Sequence, residues 1–343
     1  MFFGRFSTNV GIDLGTCNTI ICVNEKIVIS EPSVVAVEQG TKKVIAIGGD
    51  AKKMLWKAPG GIKVIRPLKD GVIADMDTTE KMMRYFIHKI LPRYSFIKPR
   101  MVIGIPSCIT EVEMRAVYDA AIRAGAGDVK VVEESLVAAI GANIPIHESA
   151  GNMVCDIGGG TSEVSVISLG GMVNTEAIKV GGDAFDQAII AHIRAVDNLI
   201  IGAQTAEAIK IAIGNVSGDN KNIEKMEIKG VDVITGDPRH LEIDGLEVRE
   251  ALKEPILKIV SLIKKILSST PPQLVSDIVE RGIVMTGGGA LLKGLPKLVS
   301  QEARVPVIVA EDPMDCVAMG AGKYYRIFKE MSSGRSLYDS INK

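Results

Sequence analysis

Apolar residues along this chain recur in two rhythms, and the change from one to the other marks its elements. Compact apolar runs bounded by glycine or polar residues read as strands: around Val10 and Ile12, Ile20 and Ile21, Val34 and Val35, residues 101–106, 129–132, 153–155, 164–167, 282–286 and 305–309. Between them, apolar residues three or four apart read as helix faces. Met82, Met83, Phe86, Ile87 and Ile90 form one such face, behind an expected capping box at Asp77-Thr78-Thr79-Glu80. A second helix is expected from Thr110-Glu111-Val112-Glu113 to Gly125, with others over 136–142, 184–196, from Gln204 onward, 248–267 and 315–322. Pro255 predicts a kink or an early turn in the long one. Residues 217–244 alternate Met226, Ile228, Val231 and Val233 with polar positions, which predicts antiparallel strands broken at Gly236-Asp237-Pro238. Strands alternating with helices predict an α/β chain.

One sequence of elements occurs twice. Near the start, Ile12, Asp13 and Leu14 run into Gly15, Thr16, Cys17 and Asn18 and then into a second apolar strand. At mid-chain, Cys155, Asp156 and Ile157 run into Gly158, Gly159, Gly160 and Thr161 and again into an apolar strand. An internal repeat of this size predicts two similar domains facing one another, each offering a hairpin to one ligand. Glycines admit positive φ and carry no Cβ, so backbone N–H groups at such a turn can converge on an anion, while Asp13 and Asp156 could hold a hydrated divalent cation. A third glycine-rich turn, Gly287, Gly288, Gly289 and Ala290, follows a strand and is expected to open a helix whose N-terminus approaches a nucleoside or phosphate. Glu133 and Glu134 close a strand, where a carboxylate either starts a solvated helix or faces a ligand. Glu207 and Lys210, one helical turn apart, read as a surface pair.

With 343 residues, two domains are expected. Hydrophobic residues make up 47%, which favours subunit interfaces or a membrane-facing patch. Lys and Arg number 40 against 41 Asp and Glu, so there is no basic field for nucleic acid. The five cysteines lack paired spacing and mostly lie in apolar runs, as buried thiols of a reducing cytoplasm do. No apolar run reaches the roughly 18 residues of a membrane span. Two apolar clusters remain: Phe2, Phe3 and Phe6 around Arg5, and Tyr94, Phe96 and Ile97 among Arg93, Lys98 and Arg100. Each either packs beneath its domain or inserts into an anionic membrane surface.

The three turns in this order, together with Arg66-Pro67-Leu68-Lys69-Asp70-Gly71, Glu133-Glu134-Ser135-Leu136 and Leu291-Leu292-Lys293-Gly294-Leu295, resemble the actin, sugar-kinase and heat-shock chaperone ATPase superfamily, and within it the MreB family of bacterial actins over almost the full length. The resemblance implies two actin-like (ribonuclease H-like) domains, each with a smaller inserted subdomain, flanking a nucleotide cleft. Residues 1–32, 67–144 and 313–343 would form the first large subdomain and 33–66 its insertion. Residues 145–180 and 244–312 would form the second, with 181–243 inserted. It implies an ATPase binding ATP or ADP with Mg²⁺. Gly15, Thr16, Cys17, Asn18, Gly158, Gly159 and Gly160 would meet phosphates, with Gly182 also among the nucleotide-binding residues. Glu207, Ala208, Ile209, Lys210, Gly287, Gly288, Gly289, Ala290 and Leu291 would border adenosine. Asp13 and Asp156 would hold the hydrated metal, and Glu134 and Thr161 would orient the attacking water. Implied partners are copies of itself in a filament, the inner face of the cytoplasmic membrane, paralogous bacterial actins and membrane adaptors. Against the family pattern, Cys17 replaces a customary Ala and Ser135 a customary Pro. A sugar-kinase-like phosphotransferase and a filament without hydrolysis are the competing readings; a chaperone would need a substrate-binding domain after residue 343.

Overall fold

The computed structural model describes residues 8–55, 57–90, 98–218 and 223–332. Phe2, Phe3, Phe6, Tyr94, Phe96 and Ile97 therefore lie outside the described residues. The chain divides into two compact units: residues 1–150, 167–173 and 314–343, and residues 151–166 and 174–313.

In the first unit, β1 (Asn9–Leu14), β2 (Asn18–Val23) and β3 (Lys26–Pro32) form an antiparallel meander. The small segment that follows holds β4 (Val35–Glu38), β5 (Val44–Ile47), α1 (Gly49–Met54) and β6 (Ile62–Ile65), with sheet order β5-β4-β6. The hairpin of β7 (Leu68–Lys69) and β8 (Val72–Ile73) leads back to α2 (Met76–Ile90). This helix starts earlier than its expected capping box, because Asp75 Oδ1 accepts from Thr78 N at 2.8 Å and caps it instead. Its apolar stripe behaves as read: Met82, Met83, Phe86 and Ile87 are buried. Next come β9 (Arg100–Ile105), α3 (Glu111–Ala124), β10 (Asp128–Glu133) and α4 (Glu134–Gly141). The Thr110/Glu113 capping box is present, and Gly125 ends α3 at φ 116°.

The second unit repeats the scheme. β11 (Asn152–Ile157), β12 (Ser162–Ser168) and β13 (Gly171–Ile178) are followed by α5 (Gly182–Asp197), β14 (Leu199–Ile200), α6 (Ala203–Ile213), β15 (Lys225–Asp232) and β16 (Pro238–Asp244). Then come α7 (Gly245–Ser269), α8 (Pro272–Arg281), β17 (Ile283–Thr286), α9 (Leu295–Ala303) and β18 (Val307–Val309), and the C-terminal helix α10 (Cys316–Ser332) returns to the first unit. Pro255 does not break α7, which runs 25 residues through it. Leu252, Ile256, Ile259 and Ile263 are buried around it, and their packing outweighs the roughly 3 kcal/mol cost of an interior proline. Helix α10 also outruns its expected end at Gly322. Glycine positions let it approach its neighbours: a Cβ at Gly320 would strike the Val137 carbonyl of α4, and one at Gly11 would strike Gly322 N.

The two large sheets share one topology, β10-β9-β1-β2-β3 and β13-β12-β11-β17-β18. In both, the first strand of the hairpin is flanked by a parallel strand, β9 beside β1 and β17 beside β11. The repeat read in the sequence is thus a repeat of fold, and Asp13 and Asp156 occupy matching strand ends. Parallel pairing sets Asp13 against Gly104 and Asp156 against Thr286.

Candidate functional site

The first turn is closed by a residue without a side chain. A Cβ on Gly15 would lie 2.6 Å from the Asn18 carbonyl oxygen. Its carbonyls are tied down from one side: Ser33 Oγ donates to Gly15 O at 2.6 Å, and Ser33 N donates to Cys17 O at 2.9 Å. Across a trans peptide, a carbonyl and the next N–H point opposite ways. Pinning the oxygens of Gly15 and Cys17 therefore turns the N–H groups of Thr16 and Asn18 away from Ser33, as an anion requires. Thr16 Oγ1 accepts from Gly71 N at 3.0 Å.

The second turn is built alike with different partners. Gly158 O accepts from Gly182 N at 3.0 Å and Gly159 O from Asp183 N at 2.8 Å, so the N–H groups of Gly159 and Gly160 point away from α5. A Cβ on Gly181 would stand 2.6 Å from Gly158 O, which is why a glycine precedes that helix. The Gly158 N–H is spent within the turn, donating to Thr161 O at 2.9 Å. Positive φ, expected of these glycines, is absent from both turns; of the glycines in the three turns, only Gly287 shows it, at 78°. The turns need glycine for close approach rather than for handedness.

Asp156, 6% exposed at the end of β11, accepts a 2.6 Å hydrogen bond at Oδ1 from Thr286 Oγ1. Burial pushes its carboxyl up to about 6, against the Thr286 bond, and the charge of Glu163 adds to the rise. A cation beside it would favour the ionised form further. Among the described residues no cluster of three or more His, Cys, Asp or Glu could enclose a metal. Asp156 in its unit, and Asp13 at the matching strand end of the other, each offer a single carboxylate of the kind that suits a Mg²⁺ keeping most of its waters.

The third turn packs flush on the second. A Cβ at Gly287 or Gly289 would strike Ile157, and Gly287 N donates to Pro313 O at 2.7 Å. It opens a single 3₁₀ turn, Gly288–Leu291, and not the α-helix expected, so no helix dipole acts there. Ala290 is buried and Leu291 exposed. On α6, Lys210, read as half of a surface pair, has a side chain only 17% exposed. Its Nζ lies 2.7 Å from Asp186 Oδ1 and donates to Gly182 O at 3.1 Å, bracing the start of α5. Burial raises the Asp186 carboxyl despite that ammonium. Ile209 is fully buried beside it, and Ala208 and Glu207 share the helix.

Glu134 is 9% exposed and begins α4; Glu133, not Glu134, ends the strand and takes the N-cap position. The two glutamates thus do not close the strand together as expected. Gly104 does more: a Cβ there would lie 3.2 Å from Glu134 Cγ and 2.8 Å from Val317 Cγ1. Because Gly104 also pairs with Asp13, this one glycine sets Glu134 and Asp13 around the same strand end.

The family model for MreB/Mbl protein matches residues 7–333. The chain belongs to the MreB/Mbl family. It is 48% identical to the cell shape-determining protein Mbl of Bacillus subtilis (strain 168), over 92% of this chain and 95% of that one. It is also 48% identical to the cell shape-determining protein MreB of Escherichia coli (strain K12), over 94% of each. The structure of MreB5 of Spiroplasma citri bound to AMPPNP superposes with a TM-score of 0.90 at 34% identity, covering 96% of this chain and 99% of that one. The MamK double helical filament, at 20% identity, shares the fold with a TM-score of 0.80 over 93% and 99%. The fold is therefore the actin-like one expected.

Within this MreB/Mbl chain, three residues that shape the turns escaped the sequence reading: Ser33, Gly104 and Thr286. Gly104 carried a usable signal, a lone glycine inside an apolar strand, which marks close approach by a neighbour. Ser33 and Thr286 carried none, since their partners come from other strands. Thr161, 7% exposed, stands immediately before β12, where its carbonyl closes the second turn.

Proposed function

We propose that this chain is a nucleotide-dependent bacterial actin that determines cell shape, binding Mg-ATP, hydrolysing it slowly and polymerising with its own copies at the inner face of the cell membrane. The observation that carries the reading is the pinned-carbonyl design common to both turns, which frees the N–H groups of Thr16, Asn18, Gly159 and Gly160 for phosphate oxygens. Relatives named for cell shape, and a neighbour crystallised with AMPPNP and with ADP, support it. Asp13 and Asp156 would hold a hydrated magnesium ion, which when bound would supply charge neutralisation on the phosphates. Glu134 and Thr161 orient the water that attacks the terminal phosphate, work that is positioning rather than covalent chemistry. Gly182, Glu207, Lys210 and the 287–291 turn border the nucleoside. Paralogous bacterial actins and membrane adaptors complete the set of partners. Membrane contact is assigned to Tyr94, Phe96 and Ile97, with Phe2, Phe3 and Phe6 secondary, on sequence alone; no described helix is long and apolar enough to cross a membrane.

Sedimentation with ATP or ADP, with and without anionic liposomes, tests this when phosphate release is followed alongside. Filaments that pellet with ATP, enrich on liposomes and release phosphate support the reading. ATP-independent behaviour in all three overturns it. Loss of phosphate release alone favours a filament without hydrolysis.

A further inference from the structure

The matching strand ends of the two units differ in one informative way. Beside Asp13 stands Gly104, which makes room for Glu134; beside Asp156 stands Thr286, which makes a bond. Thr286 is fully buried, and its hydroxyl lies 2.6 Å from Asp156 Oδ1. Oδ2 is on the side of the second turn, 4.0 Å from where a Cβ of Gly158 would sit. Immediately after Thr286 the chain enters the 287–291 turn, whose Gly287 and Gly289 are pressed against Ile157, the residue following Asp156. A single hydroxyl thus joins the turn that borders the nucleoside to the carboxylate that faces the phosphates.

We propose that Thr286 is a positioning residue for divalent-cation binding: its hydroxyl occupies Asp156 Oδ1, fixes the carboxylate and leaves Oδ2 to accept from the water shell of Mg²⁺. This rests on the reading of Asp156 as a metal-holding residue. Outer partners that orient a metal-holding carboxylate are typically worth about 10–100-fold in metal affinity. A threonine that only filled space would show no such effect, because Thr and Val have nearly the same shape.

The test is titration of the full chain with mant-ATP in excess MgCl₂ and again in EDTA, the ratio of the two affinities being the magnesium-dependent gain. Thr286→Val is expected to cut that gain by about 10–100-fold while the affinity in EDTA is retained. Thr286→Ser, which keeps the hydroxyl, is expected to keep the gain. A full gain in Thr286→Val, or an equal loss in Thr286→Ser, overturns the proposal. If Thr286→Val fails to bind even in EDTA, Thr286→Ala against Thr286→Ser decides in the same way, since these two differ only by the hydroxyl. Asp156→Asn runs in parallel. A gain retained there overturns the metal reading of Asp156 itself, whereas a gain lost there and kept in Thr286→Val removes only the role of Thr286.

Discussion

Replacing Gly104 by alanine adds one methyl group at the point where three elements meet. The new Cβ would stand 2.8 Å from Val317 Cγ1, 3.2 Å from Glu134 Cγ and 3.5 Å from Val137 Cγ2, so two of the three neighbours fall inside the 3.4 Å of ordinary contact. Val317 is held on α10 by close helix packing, and Glu134, as the first residue of α4, is the freer to yield. Overpacking of this kind costs about 1–3 kcal/mol in stability. Its larger effect is on Glu134, because misplacing a catalytic group by about 1 Å can cost 10²-fold, and a displacement of a few tenths still about tenfold. Gly104→Ala should therefore release phosphate about tenfold more slowly while binding Mg-ATP with nearly the parent affinity. Phosphate release under filament-forming conditions and mant-ATP binding measure the two effects separately. The Glu134→Ala background supplies the decisive control. If Gly104 acts through Glu134, adding Gly104→Ala to Glu134→Ala slows hydrolysis no further. A parent rate in Gly104→Ala, or effects that multiply in the double variant, would refute the argument. Loss of Mg-ATP affinity instead would move the effect to Asp13, the strand partner of Gly104.

Ser33→Ala removes the hydroxyl that donates to Gly15 O and accepts from Thr19 Oγ1 at 2.9 Å, taking a donor from the Gly15 carbonyl and an acceptor from the buried Thr19 hydroxyl. Such a loss costs about 1–3 kcal/mol and should weaken ATP binding by roughly tenfold, read by calorimetric titration; unchanged affinity would show that the first turn holds its shape without Ser33. In the second unit, Glu247 is raised from the ordinary 4.5 to about 7 by burial first, then by the hydrogen-bonded carboxyl of Asp197 and the charge of Asp244, with His192 Nε2 3.7 Å away. The folded state thus binds this proton more tightly than the unfolded one, so its contribution is present below about pH 4.5 and is lost as pH rises through about 7. Glu247→Gln should be the more stable protein at pH 8, by roughly 1 kcal/mol once screening of its partly exposed side chain is allowed for, with the advantage falling as pH drops below 7 and gone below about pH 4.5. Calorimetric melting across that range checks it, and the parent-to-variant difference separates Glu247 from the similarly raised Asp156. Changing Tyr94, Phe96 and Ile97 together to serine should reduce liposome co-sedimentation of filaments sharply, because many weak insertions add along a polymer; equal pelleting would remove the cluster's membrane role.

The strands, most of the helices and the doubled strand–Asp–glycine-turn unit were legible because each depends on residues close in sequence. A run such as Met153-Val154-Cys155 followed by glycines has few conformations that bury its side chains and still satisfy its backbone. Element ends were less legible, since capping by Asp75, the start of α4 at Glu134 and the survival of α7 through Pro255 depend on neighbours. The bonds that give the turns their chemistry lay further out of reach. Ser33 meets Gly15 across 18 positions, and Thr286 meets Asp156 across 130. Gly104 reaches Asp13 only because β9 pairs with β1. Local pattern determines that a strand forms and which face is apolar. Which strand lies beside it, and so which side chain meets a given carboxylate, is decided only when the sheets bury their apolar faces against the helices.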